Sequence, residues 1–135
     1  MRSVFVDTAG WIGLVNTGDT LHEAAAKTYR SKYSDGWSFV THQGILLEVG
    51  NSLSATRLRR SALGLKQKLE GSRRVEIIEI APDLYEAGWQ LFAERTDKDW
   101  GIVDCISFEL MKRLGIKEAL TADKHFEQAG FVKLL

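Results

Sequence analysis

Four carboxylates interrupt apolar or strand-like surroundings in this chain of 135 residues: Asp7, Glu48, Asp104 and Asp123. Asp7 closes Ser-Val-Phe-Val-Asp-Thr, and Glu48 breaks Gly-Ile-Leu-Leu-Glu-Val. Asp104 lies within Gly-Ile-Val-Asp-Cys-Ile, and Asp123 ends Ala-Leu-Thr-Ala-Asp. A carboxylate taken out of water costs several kcal/mol unless it is paired or bound to a cation. Few cationic side chains stand beside these four, so a shared divalent metal ion is the simplest compensation. Oxygen-only ligands select Mg²⁺ or Mn²⁺ over zinc. His22, His42 and His125 lack the paired spacing of a zinc site, and a surface or packing role is expected for each.

The elements that must position these acids follow from the apolar pattern. Strand-like runs fall at Val4 to Val6, Trp37 to Val40, Val75 to Ile80 and Ala119 to Thr121, with a short run from Val132 to Leu135. Segments of helical period fill the spaces between them. Asp19 is placed to cap a helix through Leu21, Ala24, Ala25 and Tyr29 that stops near Asp35-Gly36. His42 to Ser54 and Arg57 to Glu70 read as a helical hairpin with Gly71 as its stop. Pro82 suits the first turn of a helix running to about Arg95, and Asp99 is placed to cap another that ends near Leu114-Gly115. Strands separated by helices predict one α/β/α sandwich, with a mostly parallel sheet covered on both faces and a single domain over residues 1–135.

In such sheets, functional groups gather beyond the carboxyl ends of the strands, which is where Asp7 and Asp123 fall. Glu48 sits near the rim of the apolar face of its helix. Asp104 is one turn into a helix that is apolar nearly all round, and is expected inside the fold. Each acid also has a simpler role open to it. Asp7 and Asp123 could cap the helices that follow them, Glu48 could reach solvent, and Asp104 could be neutralised or paired with a cation. Jointly, two acids at strand ends and two on helices suit convergence on one point.

Composition narrows the class. With 44% apolar and 27% charged residues, the chain reads as a globular protein rather than a disordered one. No apolar run reaches transmembrane length, no signal-peptide pattern is visible, and the single Cys105 permits no internal disulfide, so a cytoplasmic protein is expected. Cys105 is expected as a small buried hydrophobe. Eighteen basic residues balance 18 acidic ones, yet Arg57, Arg59, Arg60, Lys66, Lys68, Arg73 and Arg74 cluster against Glu70 alone. That run reads either as a solvated helix face or as a surface that tracks phosphates.

The motifs around the acids resemble those of PIN-domain ribonucleases, and among them the VapC toxins of prokaryotic toxin–antitoxin pairs, over essentially the whole chain. Val-Phe-Val-Asp7-Thr8-Ala-Gly-Trp resembles the opening motif, and Ile-Leu-Leu-Glu48-Val-Gly-Asn the second. Asp97-Lys-Asp99-Trp-Gly-Ile-Val-Asp104-Cys-Ile-Ser107-Phe resembles the third. Thr121-Ala-Asp123-Lys-His125-Phe126, followed by Gly130-Phe131, resembles the closing one. The resemblance implies that Asp7, Glu48, Asp104 and Asp123 surround one or two Mg²⁺ ions, with Mn²⁺ as a substitute. It also implies endonucleolytic cleavage of RNA, a homodimer, and inhibition by a cognate antitoxin. Asp7 and Asp104 are expected as the main ligands, with Thr8 and Thr121 as supporting donors.

The chain departs from that pattern where Gly101-Ile102-Val103 replaces the frequent Ser-Leu-Thr, which removes a hydroxyl. Ser107 and Thr121 are the candidates to supply it. Asp99 would point about 140° away from Asp104 on a helix, so it is expected as a cap first and an outer ligand second. An antitoxin is expected along the early helices, where Trp11, Leu14, Leu21, Tyr29, Leu53 and Leu58 offer apolar material, although most of these are expected in the core. Two other classes compete. A phosphatase or receiver domain also gathers acids at strand ends, but residue 9 is Ala where the phosphatase needs a second Asp, and the receiver's acid pair is missing. A catalytically silent module that binds RNA or an antitoxin is the main alternative, kept open by the altered residues before Asp104.

Overall fold

Apolar β-branched and aromatic residues build the sheet. In the computed structural model, which describes residues 2–135, strand β1 (Ser3–Val6) is followed by helices α1 (Thr8–Val15) and α2 (His22–Ser34). Then come β2 (Ser38–His42), α3 (Gln43–Ser52), a 3₁₀ turn (Thr56–Leu58), α4 (Arg59–Gly71) and β3 (Val75–Ile78). The chain continues through α5 (Pro82–Glu94), α6 (Ile102–Leu114), β4 (Glu118–Leu120), α7 (Lys124–Gln128) and β5 (Val132–Lys133). All neighbouring strands are parallel, in the order β3-β2-β1-β4-β5. β1 is central: Phe5 pairs with Val40 on one side and Ala119 on the other. A strand buried on both faces should be continuously apolar, and Val4, Phe5 and Val6 are all buried.

The order of the strands decides where a site can form. From β1 the chain builds outward through β2 to β3, then crosses back to place β4 on the other side of β1. Right-handed crossovers put α1–α4 on one face and α5–α7 on the other. The packing agrees, because α1 meets α2 and α3, α3 meets α4, α5 meets α6, and α6 meets α7. The expected α/β/α sandwich is therefore present. Its topological switch point lies between the carboxyl ends of β1 and β4, where helices depart to opposite faces and leave a crevice.

The element bounds differ from expectation in instructive places. β2 runs two residues past Val40, because the polar Thr41 and His42 are satisfied inside the fold: Thr41 Oγ1 donates to the Val6 carbonyl (3.1 Å) and accepts from Trp11 Nε1 (3.2 Å). His42 therefore precedes α3 as its cap instead of belonging to it. Arg57 and Leu58 lie in the 3₁₀ turn, so α4 starts at Arg59. Asp19 closes a turn by accepting from the Leu21 amide (2.8 Å), and α2 begins only at His22. Asp99 does not cap α6. Gly101 occupies that position and Asp99 is exposed, since burial of the neighbouring Trp100 turns the preceding chain outward. Among the expected partner-facing residues, Trp11 and Leu53 are buried, while Leu14, Tyr29 and Leu58 pack against the same core.

Candidate active site

The switch point is closed by one cross-strand contact. Asp7 directly follows β1, and its Oδ1 caps α1 by accepting the Gly10 amide (2.9 Å). Thr121 directly follows β4 and donates from Oγ1 to Asp7 Oδ2 (2.6 Å). The same hydroxyl oxygen accepts the Asp123 amide (3.0 Å), so one threonine sets both strand-end acids. Gly10 makes this approach possible: a Cβ there would run into the Leu120 carbonyl oxygen and meet Val6 Cγ1 at 2.9 Å. Asp7 is only 7% exposed. Burial raises its pKa to about 7, with Asp123 and Asp104 pushing the same way and the Thr121 and Gly10 hydrogen bonds opposing.

Helix α3 delivers Glu48. Its first turn is held by His42, whose Nδ1 accepts the amides of Gly44 (3.0 Å) and Ile45 (3.4 Å). Nδ1 must then be unprotonated, which leaves Nε2–H to donate to Ser107 Oγ (2.8 Å), while Ser107 donates to the Val103 carbonyl (2.8 Å). His42 is fully buried, and burial pulls its pKa down to about 4. This buried pair ties the start of α3 to the first turns of α6, the two helices that carry Glu48 and Asp104. Thr8 Oγ1 donates to Glu48 Oε1 (2.5 Å), joining α1 to α3.

Asp104 occupies the third position of α6 and accepts the Gly101 amide on Oδ2 (3.1 Å), an anion favourably placed at a helix N-terminus. It is half-buried rather than enclosed, and burial raises its pKa, with Asp123 adding to the effect and the Gly101 and His125 contacts opposing it. Asp123 caps α7 by accepting the His125 amide (2.9 Å). The turn this creates swings the His125 ring back, so that Nδ1 lies 3.2 Å from Asp104 Oδ2 and 3.4 Å from Asp123 Oδ1. His125 was expected to serve surface or packing; instead it joins two of the acids. Its two-residue spacing from Asp123 carries no helical or zinc period, so only the short α7 turn reveals it.

Asp7, Glu48, Asp104 and Asp123 line one cavity of about 400 Å³, together with Thr8, Ile12 and Ile45. Asp19, absent from the candidates drawn from sequence, stands at the same cavity, brought there by its turn before α2. Asp97 is exposed and paired with Arg95 (2.9 Å). Ser107 spends its hydrogen bonds on His42 and Val103, so it supports the helix pair and not the hydroxyl position before Asp104. Cys105 is buried and its thiol is pushed up to about 11, chiefly by burial, which makes it a neutral core group. A larger cavity of about 590 Å³ lies on the β5 side among Trp100, Phe108 and Phe131, away from the four acids.

The donor chemistry suits a divalent cation. One ligand atom each from Asp104, Asp123 and His125 lie within 4.8 Å of one another. A buried Asp7 that titrates near neutrality would give up its proton to such an ion.

Comparison with known proteins yields a consistent set of similarities. The PIN-domain family model matches residues 4–132. The 23S rRNA-specific endonuclease VapC20 of Mycobacterium tuberculosis, strain ATCC 25618 / H37Rv, is 30% identical over 131 residues, which span 97% of each protein. The crystal structure of VapC20, described as a sarcin–ricin loop cleaving toxin, superposes with a TM-score of 0.87 at 29% identity, covering 96% of this chain and 97% of that one. Two more distant structures share the fold. VapBC2 from Rickettsia felis, bound to a promoter DNA fragment, gives a TM-score of 0.72 at 11% identity, over 98% and 96% of the two chains. FitAcB from Neisseria gonorrhoeae gives 0.66 at 14% identity, over 96% and 95%.

Proposed function

The chain belongs to the PIN-domain family, and from that premise we propose that it is a metal-dependent endoribonuclease, the toxin of a VapBC-type pair. The carrying observation is the gathering of Asp7, Glu48, Asp104 and Asp123 around one cavity at the sheet's switch point. We read residues 1–135 as one nuclease domain in a cytoplasmic protein. Similarity to VapC20 supports structured ribosomal RNA as the substrate class.

Asp7 and Asp104 would hold the cation, Mg²⁺ or Mn²⁺, and Glu48 and Asp123 would complete its shell, hold a second ion or orient water. When bound, the ion supplies Lewis-acid activation of water and of the scissile phosphate. The protein's own part is positioning. Thr121 and the Gly10 amide fix the Asp7 carboxylate, and Thr8 fixes that of Glu48. The Gly101 amide fixes the Asp104 carboxylate through Oδ2. The acids' joint charge repels an RNA backbone until a cation offsets it. The exposed bases of α4, including Arg59, Arg60 and Lys68, offer a sequence-neutral phosphate track.

An antitoxin and a second copy of the chain complete this reading. The groove of about 310 Å³ lined by Leu14, Val15, Tyr29, Leu65 and Leu69 offers apolar surface for the antitoxin. Tyr85, Trp89 and Phe92, exposed along one side of α5, offer a face for homodimerisation.

The deciding experiment is cleavage of a synthetic sarcin–ricin stem–loop RNA by the purified chain with Mg²⁺, Mn²⁺ or EDTA. Metal-dependent internal cleavage that disappears in Asp7→Asn is expected. Binding of RNA or antitoxin without any cleavage would instead identify a silent module.

A further inference from the structure

Among the described residues, one nitrogen donor, His125, groups with two of the cavity's acids, Asp104 and Asp123. His125 is the second residue of α7, its amide is bonded to Asp123 Oδ1 (2.9 Å), and the next residue, Phe126, is 1% exposed in the core. Backbone and core therefore fix where the side chain leaves the chain, and the ring lies against Asp104 and Asp123. Two neighbouring ligands of an octahedral ion with bonds of about 2.1–2.2 Å stand about 3 Å apart. His125 Nδ1 lies 3.2 Å from Asp104 Oδ2 and 3.4 Å from Asp123 Oδ1. These are close to ligand–ligand edges, so small adjustments suffice to bring all three onto one ion.

We propose that His125 supplies a nitrogen ligand to the bound cation through Nδ1, and that this ligand makes the site prefer Mn²⁺ to Mg²⁺. The proposal rests on the reading of the acid cavity as a cation site. Carboxylates alone discriminate weakly between these ions. Mg²⁺ demands oxygen donors and sheds water reluctantly, whereas imidazole strengthens binding of first-row transition ions. With Asp7 and Glu48 across the same cavity the donor set stays mostly oxygen. Among the transition ions, Mn²⁺ is the one best matched to oxygen ligands.

The test uses the metal-stripped full chain, its His125→Asn and His125→Gln variants, and Asp7→Asn, each titrated calorimetrically with Mn²⁺ and with Mg²⁺. Pulsed EPR of the Mn²⁺-loaded proteins reads nitrogen coupling to the ion directly. In the parent chain Mn²⁺ should bind about 10-fold or more tightly than Mg²⁺, and the His125 variants should lose roughly that factor for Mn²⁺ alone. Nitrogen coupling should be present in the parent and absent in both His125 variants. Retained Mg²⁺ binding reports that the variants are folded. Mn²⁺ binding without nitrogen coupling, or equal loss of both ions on removing His125, overturns the proposal while leaving the cation site standing. If neither ion binds the parent, or Asp7→Asn binds both as tightly, the cation site itself falls and the proposal with it.

Discussion

Thr121 and Asp7 stand 114 residues apart in sequence and share a 2.6 Å hydrogen bond at the carboxyl ends of adjacent parallel strands. That bond lowers the pKa of a carboxyl which burial otherwise raises. Thr121→Val keeps the β-branched shape but loses the donor to Asp7 and the acceptor for the Asp123 amide. A hydrogen bond to a charged group contributes about 1.5–3 kcal/mol, so RNA cleavage at pH 7 should fall roughly 10- to 100-fold. Because the pKa of Asp7 rises further without the bond, activity should recover partly at higher pH. A pH–rate profile of unchanged shape would show that Thr121 does not act through Asp7.

Asp7→Asn should abolish cleavage and stabilise the metal-free protein. The folded-state pKa of Asp7, about 7, exceeds the usual carboxylate value of 3.8. The native state therefore binds the proton more tightly, and the cost of ionising Asp7 grows from about pH 4 to pH 7 and is full above that. Asn keeps the capping oxygen for Gly10 without the charge. Urea midpoints of the two proteins should converge near pH 4 and differ at pH 8 by an amount on the order of 2–4 kcal/mol in favour of Asn. Excess Mn²⁺ should narrow that gap by stabilising only the parent.

His42 carries the opposite sign. Its folded-state pKa, about 4, lies below the usual 6.5, so its contribution to stability is full above pH 6.5 and is lost as pH falls toward 4. Between those values it counteracts Asp7 and flattens the profile of the parent. His42→Asn can still cap α3 but does not reach Ser107 in the same way. It should cost about 1–3 kcal/mol at pH 7.5, and much less at pH 4.5, as read from urea unfolding at both pH values.

Gly10→Ala adds one methyl group against the Leu120 carbonyl oxygen, a backbone atom that cannot rotate away. Relieving the overlap requires α1 to lift from the end of β4 and draws Asp7 away from Thr121. We expect a loss of about 1–3 kcal/mol in thermal or urea unfolding. Cleavage should fall together with stability. An unchanged midpoint would mean that the two strands' ends are not held at this spacing in solution.

Trp89 is 42% exposed and touches Tyr85 and Phe92 edge-on along α5. If this face joins two copies, Trp89→Glu should convert a dimer to a monomer in light scattering while leaving the unfolding midpoint of the isolated chain nearly unchanged. A parent protein that is already monomeric at high micromolar concentration would contradict the assignment.

The sequence by itself determined the layered fold and the identity of the four acids. Strands such as Val4–Val6 are continuously apolar because both faces are covered, and an acid directly after such a run stands out against it. Those signals are local, spanning a few residues each. What the sequence could not rank was how residues far apart share one hydrogen-bond system. His42 looks like a helix residue, yet it ends β2, caps α3 and grips Ser107. His125 looks like surface, yet the five-residue α7 folds it back onto Asp104 and Asp123. Asp99 looks like a cap, yet Gly101 takes that place and Asp104 answers its amide. Each of these outcomes was decided by tertiary structure. Side-chain roles at the crevice depend on which elements the sheet order brings within about 3 Å, a hydrogen bond's reach.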